Sequence, residues 1–163
     1  MNTQDKNFPG FVKGFKQLPK AAVMSIVLFA LALIVTACGG AQMVKPTWIQ
    51  PQVSGKTVSI SASEVEKNTI VHFRIPGSTG GSLAFMAYML DGKIQARADV
   101  CPPCRSTSFS LSGNTLVCNT CATVFDAKTG DGISGACVNY PKAAVAYENS
   151  NGNLNMNADA LVT

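Results

Sequence analysis

Histidine is almost missing from this sequence: His72 is the only one, which excludes any site that needs two imidazoles. Tryptophan occurs once, at Trp48, and charged residues make up 13% of the chain, so the interleaved bases and aromatics of a nucleic-acid surface have nothing to be built from. The formal charge of +4 does not change this. Lys6, Lys13, Lys16 and Lys20 against Asp5 supply +3 of it, leaving nine bases and eight acids after Cys38. No Ser-His-Asp set, glycine-rich phosphate loop or paired-carboxylate pattern is present, and turn chemistry explains Asp126 and Asp131. No long amphipathic helix follows the N-terminal run. Met1 to Lys20 contains no arginine, so a twin-arginine export signal is absent from it.

What the N-terminus does have is lysines followed by an uninterrupted apolar run, Ala21 to Ala37, which reads as a secretory signal or a short anchor. Val35-Thr36-Ala37-Cys38-Gly39 resembles the lipobox of bacterial lipoproteins, which implies lipidation at Cys38 as the new N-terminus. The alternative is an uncleaved membrane helix, since the run is near the lower length limit for spanning a bilayer. Both readings keep the lysines inside and put the domain on the extracytoplasmic side of the cell membrane. The expected division is residues 1–38 as signal peptide or anchor, 39–56 as a Gly-, Pro- and Gln-containing tether, and 57–163 as one domain. Trp48 is the first residue expected to dock on it. About 120 residues are enough for one core and too few for two.

The signals in the domain are mostly β. Thr57 to Ser61 alternates, Ser63 and Glu66 have the spacing of a capping box, and Ile70 to Ile75 is apolar and β-branched until Pro76-Gly77. Leu83 to Leu90 and Lys93 to Ala98 are joined by Asp91-Gly92, a strong hairpin signal that delivers the chain into Cys101. Ser112-Gly113-Asn114 separates Phe109-Ser-Leu111 from Thr115-Leu-Val117, and Asn151-Gly152 separates Ala143 to Tyr147 from Leu154 to Met156, giving two more hairpins. The expected fold class is all-β, a small antiparallel domain with a metal site on two loops. His72 and Met86, Met89 are expected in the fold rather than at a metal.

The two loops are Cys101-Pro-Pro-Cys104 and Cys118-Asn-Thr-Cys121, with Cys137 beyond them. Two residues between cysteines let a tight turn aim both sulfurs at one metal, and Pro102-Pro103 pre-sets the first turn. Disulfides are the ordinary use of cysteine in an exported domain. If Cys38 is lipidated, however, five cysteines remain and one is left over. Disulfides within Cys-x-x-Cys pairs are usually redox-active rather than structural. A tetrathiolate site uses four and leaves Cys137 as a fifth ligand, a neighbour or a spare. Arg105 and Lys128, close by, are read as solvated loop residues that could also offset thiolate charge.

Val117-Cys-Asn-Thr-Cys-Ala-Thr-Val-Phe-Asp-Ala-Lys-Thr-Gly130, followed by Ser134-Gly-Ala and Pro141, resembles the cluster-binding half of Rieske iron-sulfur proteins, with cysteine at both histidine positions. With Asp91-Gly92, the two Cys-x-x-Cys pairs and Gly135-Ala-Cys137 ahead of Pro141, the chain more closely resembles the FtrD-like membrane iron-sulfur family over roughly Val58 to Leu161. It departs from that pattern where Pro141 lies farther from Cys137 than is usual, and in lacking the Gly-Tyr that often follows the first pair. The resemblance implies an iron-sulfur cluster, 2Fe-2S for preference, on Cys101, Cys104, Cys118 and Cys121. It also implies single-electron transfer rather than enzyme catalysis, and a redox partner in membrane iron transport or respiration. Four thiolates in place of two thiolates and two imidazoles should lower the potential below that of a Rieske centre and remove its pH dependence. A chain exported unfolded would acquire its metal outside, which keeps a zinc-ribbon module and a thiol-disulfide oxidoreductase open as alternatives.

Overall fold

The computed structural model describes residues 42–77 and 80–161. Cys38 and the apolar run before it lie outside those residues. Among the described residues no helix is long and apolar enough to cross a membrane. In chain order the elements are β1 (Met43–Val44), β2 (Thr47–Trp48), β3 (Gln52–Ser54), β4 (Thr57–Ser61), α1 (Ala62–Asn68), β5 (Ile70–Pro76), β6 (Ser82–Leu90) and β7 (Lys93–Ala98). They continue with β8 (Phe109–Ser112), β9 (Thr115–Cys118), β10 (Val124–Asp126), β11 (Gly132–Ser134), β12 (Glu148–Ser150), β13 (Asn153–Asn157) and α2 (Ala158–Leu161).

These strands make three sheets, ordered β1-β8-β9-β10-β11, β12-β13-β4-β3 and β2-β5-β6-β7. All pairs are antiparallel except β2 with β5. The last sheet is covered on both faces, which is why β6 reads as a continuous apolar run. Phe85 and Ala87 enter one core with Val58 and Ile60 of β4, Phe73 of β5 and Leu154 and Met156 of β13. The alternate residues Met86, Tyr88 and Leu90 enter a second core with Phe109, Leu111, Leu116 and Phe125, and with Cys101, Cys118 and Cys137. The period of two therefore sends one strand into both cores, and the second core holds three of the cysteines.

Three local expectations change. Residues 43–54, read as part of a tether, instead supply three short edge strands, with Trp48 in register with His72. Edge strands such as these bury little, Met43 and Val53 being about half exposed, so they leave no apolar alternation in the sequence. The helix begins one residue before Ser63, at Ala62, and its N-cap Ser61 makes no side-chain cap. The Ser63 hydroxyl instead meets that of Ser61 at 2.8 Å, so the capping box does not form. The last hairpin pairs Glu148–Ser150, not residues 143–147, with residues 153–155. Asn151 and Gly152 both have positive φ, and a two-residue turn of that kind ties the immediately flanking residues together. Residues 143–145 bond to β7 instead, through Ala98 N to Ala143 O and Val145 N to Ala96 O, both 2.9 Å.

Candidate metal centre

The β6/β7 hairpin leads the chain through Asp99 into the first cysteine pair, and the β8/β9 hairpin carries it directly to the second. The two turns are built alike. Cys101 N donates to Ser106 O and Cys118 N donates to Thr123 O, each at 2.9 Å and each spanning five residues. The residue after the second cysteine is left-handed in both, Arg105 at φ 55° and Ala122 at φ 56°. That reversal folds the chain after the second cysteine back onto the first, where Ser106 O and Thr123 O accept. Side chains lock the turns together: Thr120 Oγ1 meets Ser106 Oγ at 3.0 Å, and Asn119 bonds to the hydroxyls of Ser108 and Ser110.

The result is a quartet. The Sγ atoms of Cys101, Cys104, Cys118 and Cys121 all lie within 4.8 Å of one another, and Cys104 Sγ to Cys118 Sγ is 3.8 Å. None of the five described cysteines is in a disulfide. Cys101 and Cys118 are buried, while Cys104 and Cys121 are half-buried on the outer side. Cys137 comes in from behind, with its Sγ 3.7 Å from that of Cys121. Its amide donates to Thr123 Oγ1 at 3.1 Å, and the same hydroxyl is 3.2 Å from Cys121 Sγ. Gly135, at φ +111°, permits this approach, since a Cβ there would stand 2.7 Å from Thr123 Cα.

Electrostatics divide the sulfurs. Burial, then contact with the Cys137 and Cys104 thiols, pushes Cys101 far up. Burial also raises Cys118, opposed by bonds from the Ser106 hydroxyl and the Cys121 and Thr120 amides. Cys121 is pulled down to about 6, chiefly by the Thr123 hydroxyl. Holding four thiolates here therefore requires positive charge, which a metal supplies. Four convergent thiols are the donor set of all-cysteine iron-sulfur clusters and equally of all-cysteine zinc sites.

His72 is elsewhere, fully buried, with Nδ1 2.5 Å from Asp99 Oδ2 and Nε2 3.1 Å from Phe109 O. It serves the fold, as do Met86 and Met89. Asp126 Oδ1 accepts from the Lys128 and Thr129 amides at 2.8 Å, which is the turn role read for it.

A family model described as "Membrane iron-sulfur containing protein FtrD-like" matches residues 65–163, a span containing all five described cysteines. The chain belongs to that FtrD-like family. No curated protein matches it. Among solved structures, a chain from the complex of reduced oxygenase and oxidized ferredoxin in carbazole 1,9a-dioxygenase superposes with a TM-score of 0.50 at 21% identity. That match covers 64% of this chain and 95% of the other. The Sphingomonas yanoikuyae B1 ferredoxin matches at 20% identity and a TM-score of 0.40, over 45% of this chain and 74% of its own. The first likeness shows a shared fold, which in this chain is all-β.

Within this FtrD-like fold the two bases singled out near the cysteines are solvated loop residues, as read, and a third base lies closer in. Arg105 and Lys128 are exposed. Lys142 is buried instead, donating through Nζ to Val100 O at 2.5 Å. Desolvation lowers its pKa, while Cys101, then Cys118, Cys137 and Asp99, act to raise it. Its only sequence signal is a place five residues after Cys137. Thr123 and Ser106 were equally hidden among many hydroxyl residues.

Proposed function

We propose that this FtrD-like domain is an electron carrier that holds an iron-sulfur centre on Cys101, Cys104, Cys118 and Cys121. The observation that carries this reading is the convergence of two like-built cysteine turns in a chain of an iron-sulfur family. Iron in that position would supply reversible one-electron chemistry. The chain's residues contribute four sulfurs, amides and hydroxyls that bond to them, and a core that keeps water from Cys101 and Cys118. Cys104 and Cys121 lie nearer the surface and so mark the side from which a redox partner approaches. The Cys38 lipidation or anchoring of residues 1–38 would hold the domain outside the cell membrane, with a partner in iron transport or respiration.

The second reading, a structural zinc site, is favoured by the sulfur spacing. Tetrahedral zinc with Zn–S of about 2.3 Å puts ligand sulfurs about 3.8 Å apart, and the Cys104 and Cys118 sulfurs are 3.8 Å apart. A two-metal cluster separates opposite pairs farther, by the distance between metals. The thiol-disulfide oxidoreductase is disfavoured, because such an enzyme needs a helix after its first cysteine to lower the thiol pKa. Here residues 102–105 form turns and Cys101 is pushed the other way. Iron and acid-labile sulfide in anaerobically purified protein support the carrier, whereas stoichiometric zinc in a colourless protein supports the structural site.

A further inference from the structure

Lys142 is 2% exposed, yet among the described residues no carboxylate forms an ion pair with it. An ammonium in that position is costly unless charge compensates it. Its direct partners are one carbonyl, Val100 O, and two ring faces, with Nζ 4.5 Å from the Phe125 centroid and 5.1 Å from that of Phe109. None of these carries a negative charge. The placement is nonetheless held from both sides of the residue. Lys142 N donates to Gly130 O at 2.8 Å, and Lys142 O accepts from Arg97 Nη1 at 2.7 Å. Gly130, at φ +87°, leaves no room for a side chain beside that carbonyl. Arg97 is itself buried and donates to Tyr88 Oη and to Lys128 O, which anchors the arrangement to β6 and to the turn after β10. The Val100 carbonyl that receives the ammonium belongs to the residue before Cys101, and Phe109 pairs with Cys118 across β8 and β9. The lysine is thus held against the carbonyl that leads into Cys101 and the ring paired with Cys118, beside the two buried sulfurs.

We propose that Lys142 is the built-in counter-charge of the cysteine centre, a positioning residue whose ammonium offsets thiolate charge and so strengthens metal binding and raises the midpoint potential. The second effect rests on the electron-carrier reading. When one electron arrives from a redox partner protein no bond forms or breaks, and the centre gains one negative charge. A fixed cation nearby favours that state over the oxidised one. Arg105 and Lys128 cannot substitute, because exposed charges are screened by water and salt.

The test uses the full-length protein with Lys142→Met, which keeps the length and removes the charge, and Lys142→Gln, which also keeps a hydrogen-bond donor. Lys128→Gln is the surface control. Midpoint potential is read on iron-loaded protein, and affinity for Zn²⁺ is read on metal-free protein by competition with a chelator. Both Lys142 variants should show a lower midpoint and bind Zn²⁺ more weakly, on the order of tenfold for one lost charge at short range. The control should match wild type. Wild-type midpoint and zinc affinity in Lys142→Gln would overturn the proposal and leave only a hydrogen-bonding role. If Lys142→Met does not fold, Lys142→Gln decides; if neither folds, the ammonium is a requirement of the fold and the proposal fails. Should the wild-type chain take up zinc but no iron, the carrier reading fails separately, and zinc competition still decides the role of Lys142.

Discussion

Cys118 is buried and bonded by the Ser106 hydroxyl of the first turn and by the Cys121 and Thr120 amides of its own. Cys118→Ser should therefore abolish stable metal binding, read as loss of visible charge-transfer absorption with the fold retained by circular dichroism. Cys121 is its opposite, half-buried and held near a pKa of about 6 by Thr123. In metal-free protein its thiolate fraction rises through that value, so alkylation should accelerate from mildly acidic pH and level off above neutral. Cys101, raised by burial, should react last. Mass spectrometry of partly alkylated protein checks the order, and simultaneous labelling of Cys101 and Cys121 would contradict it. The buried His72–Asp99 pair is structural, and among the described residues Asp99 Oδ1 already has no hydrogen-bond partner. Removing the imidazole in His72→Ala should cost about 3–5 kcal/mol, the usual penalty for stranding one member of a buried pair. Urea unfolding measures it; a loss below about 1 kcal/mol would show that water replaces the ring.

At the scale of elements, each cysteine turn depends on one left-handed residue, and neither is glycine. A β-branched side chain tolerates that conformation worst, so Ala122→Val should lower stability by about 1–2 kcal/mol. It should also weaken metal binding by rotating Cys121 out of the quartet. Thermal melts with and without metal check this, and an unchanged melting temperature in both would contradict it. Elements that repeat a strong local signal were legible in sequence. Asp91-Gly92 and Ser112-Gly113-Asn114 mark their hairpins, and Cys-x-x-Cys marks both turns. What escaped was set by partners distant in the chain. β1 to β3 are strands only because β8, β5 and β4 offer them edges, and Lys142 is buried only because Arg97 and Gly130 hold its backbone. A lysine in a near-neutral composition gives no sign of such a position, whereas the cysteine quartet announces itself by spacing.

Across the described molecule, the cysteines belong to one of two cores, and the other contains none of them. Metal removal should therefore loosen β8 to β10 while β4 and β13 stay protected from hydrogen exchange. Uniform loss of protection would mean that the two cores unfold as one. The single histidine lies away from the quartet and bonded to Asp99, so no titrating imidazole ligand is available among the described residues. The midpoint potential should accordingly stay level from neutral to mildly alkaline pH and lie below that of a two-histidine centre. The most direct test of the central claim is one sample of full-length protein, purified anaerobically, assayed for iron, zinc and acid-labile sulfide and scanned in the visible beside Cys118→Ser. An iron-sulfur carrier predicts iron with matching sulfide and charge-transfer bands that vanish in the variant. One zinc per chain, with no sulfide and no colour, would contradict it.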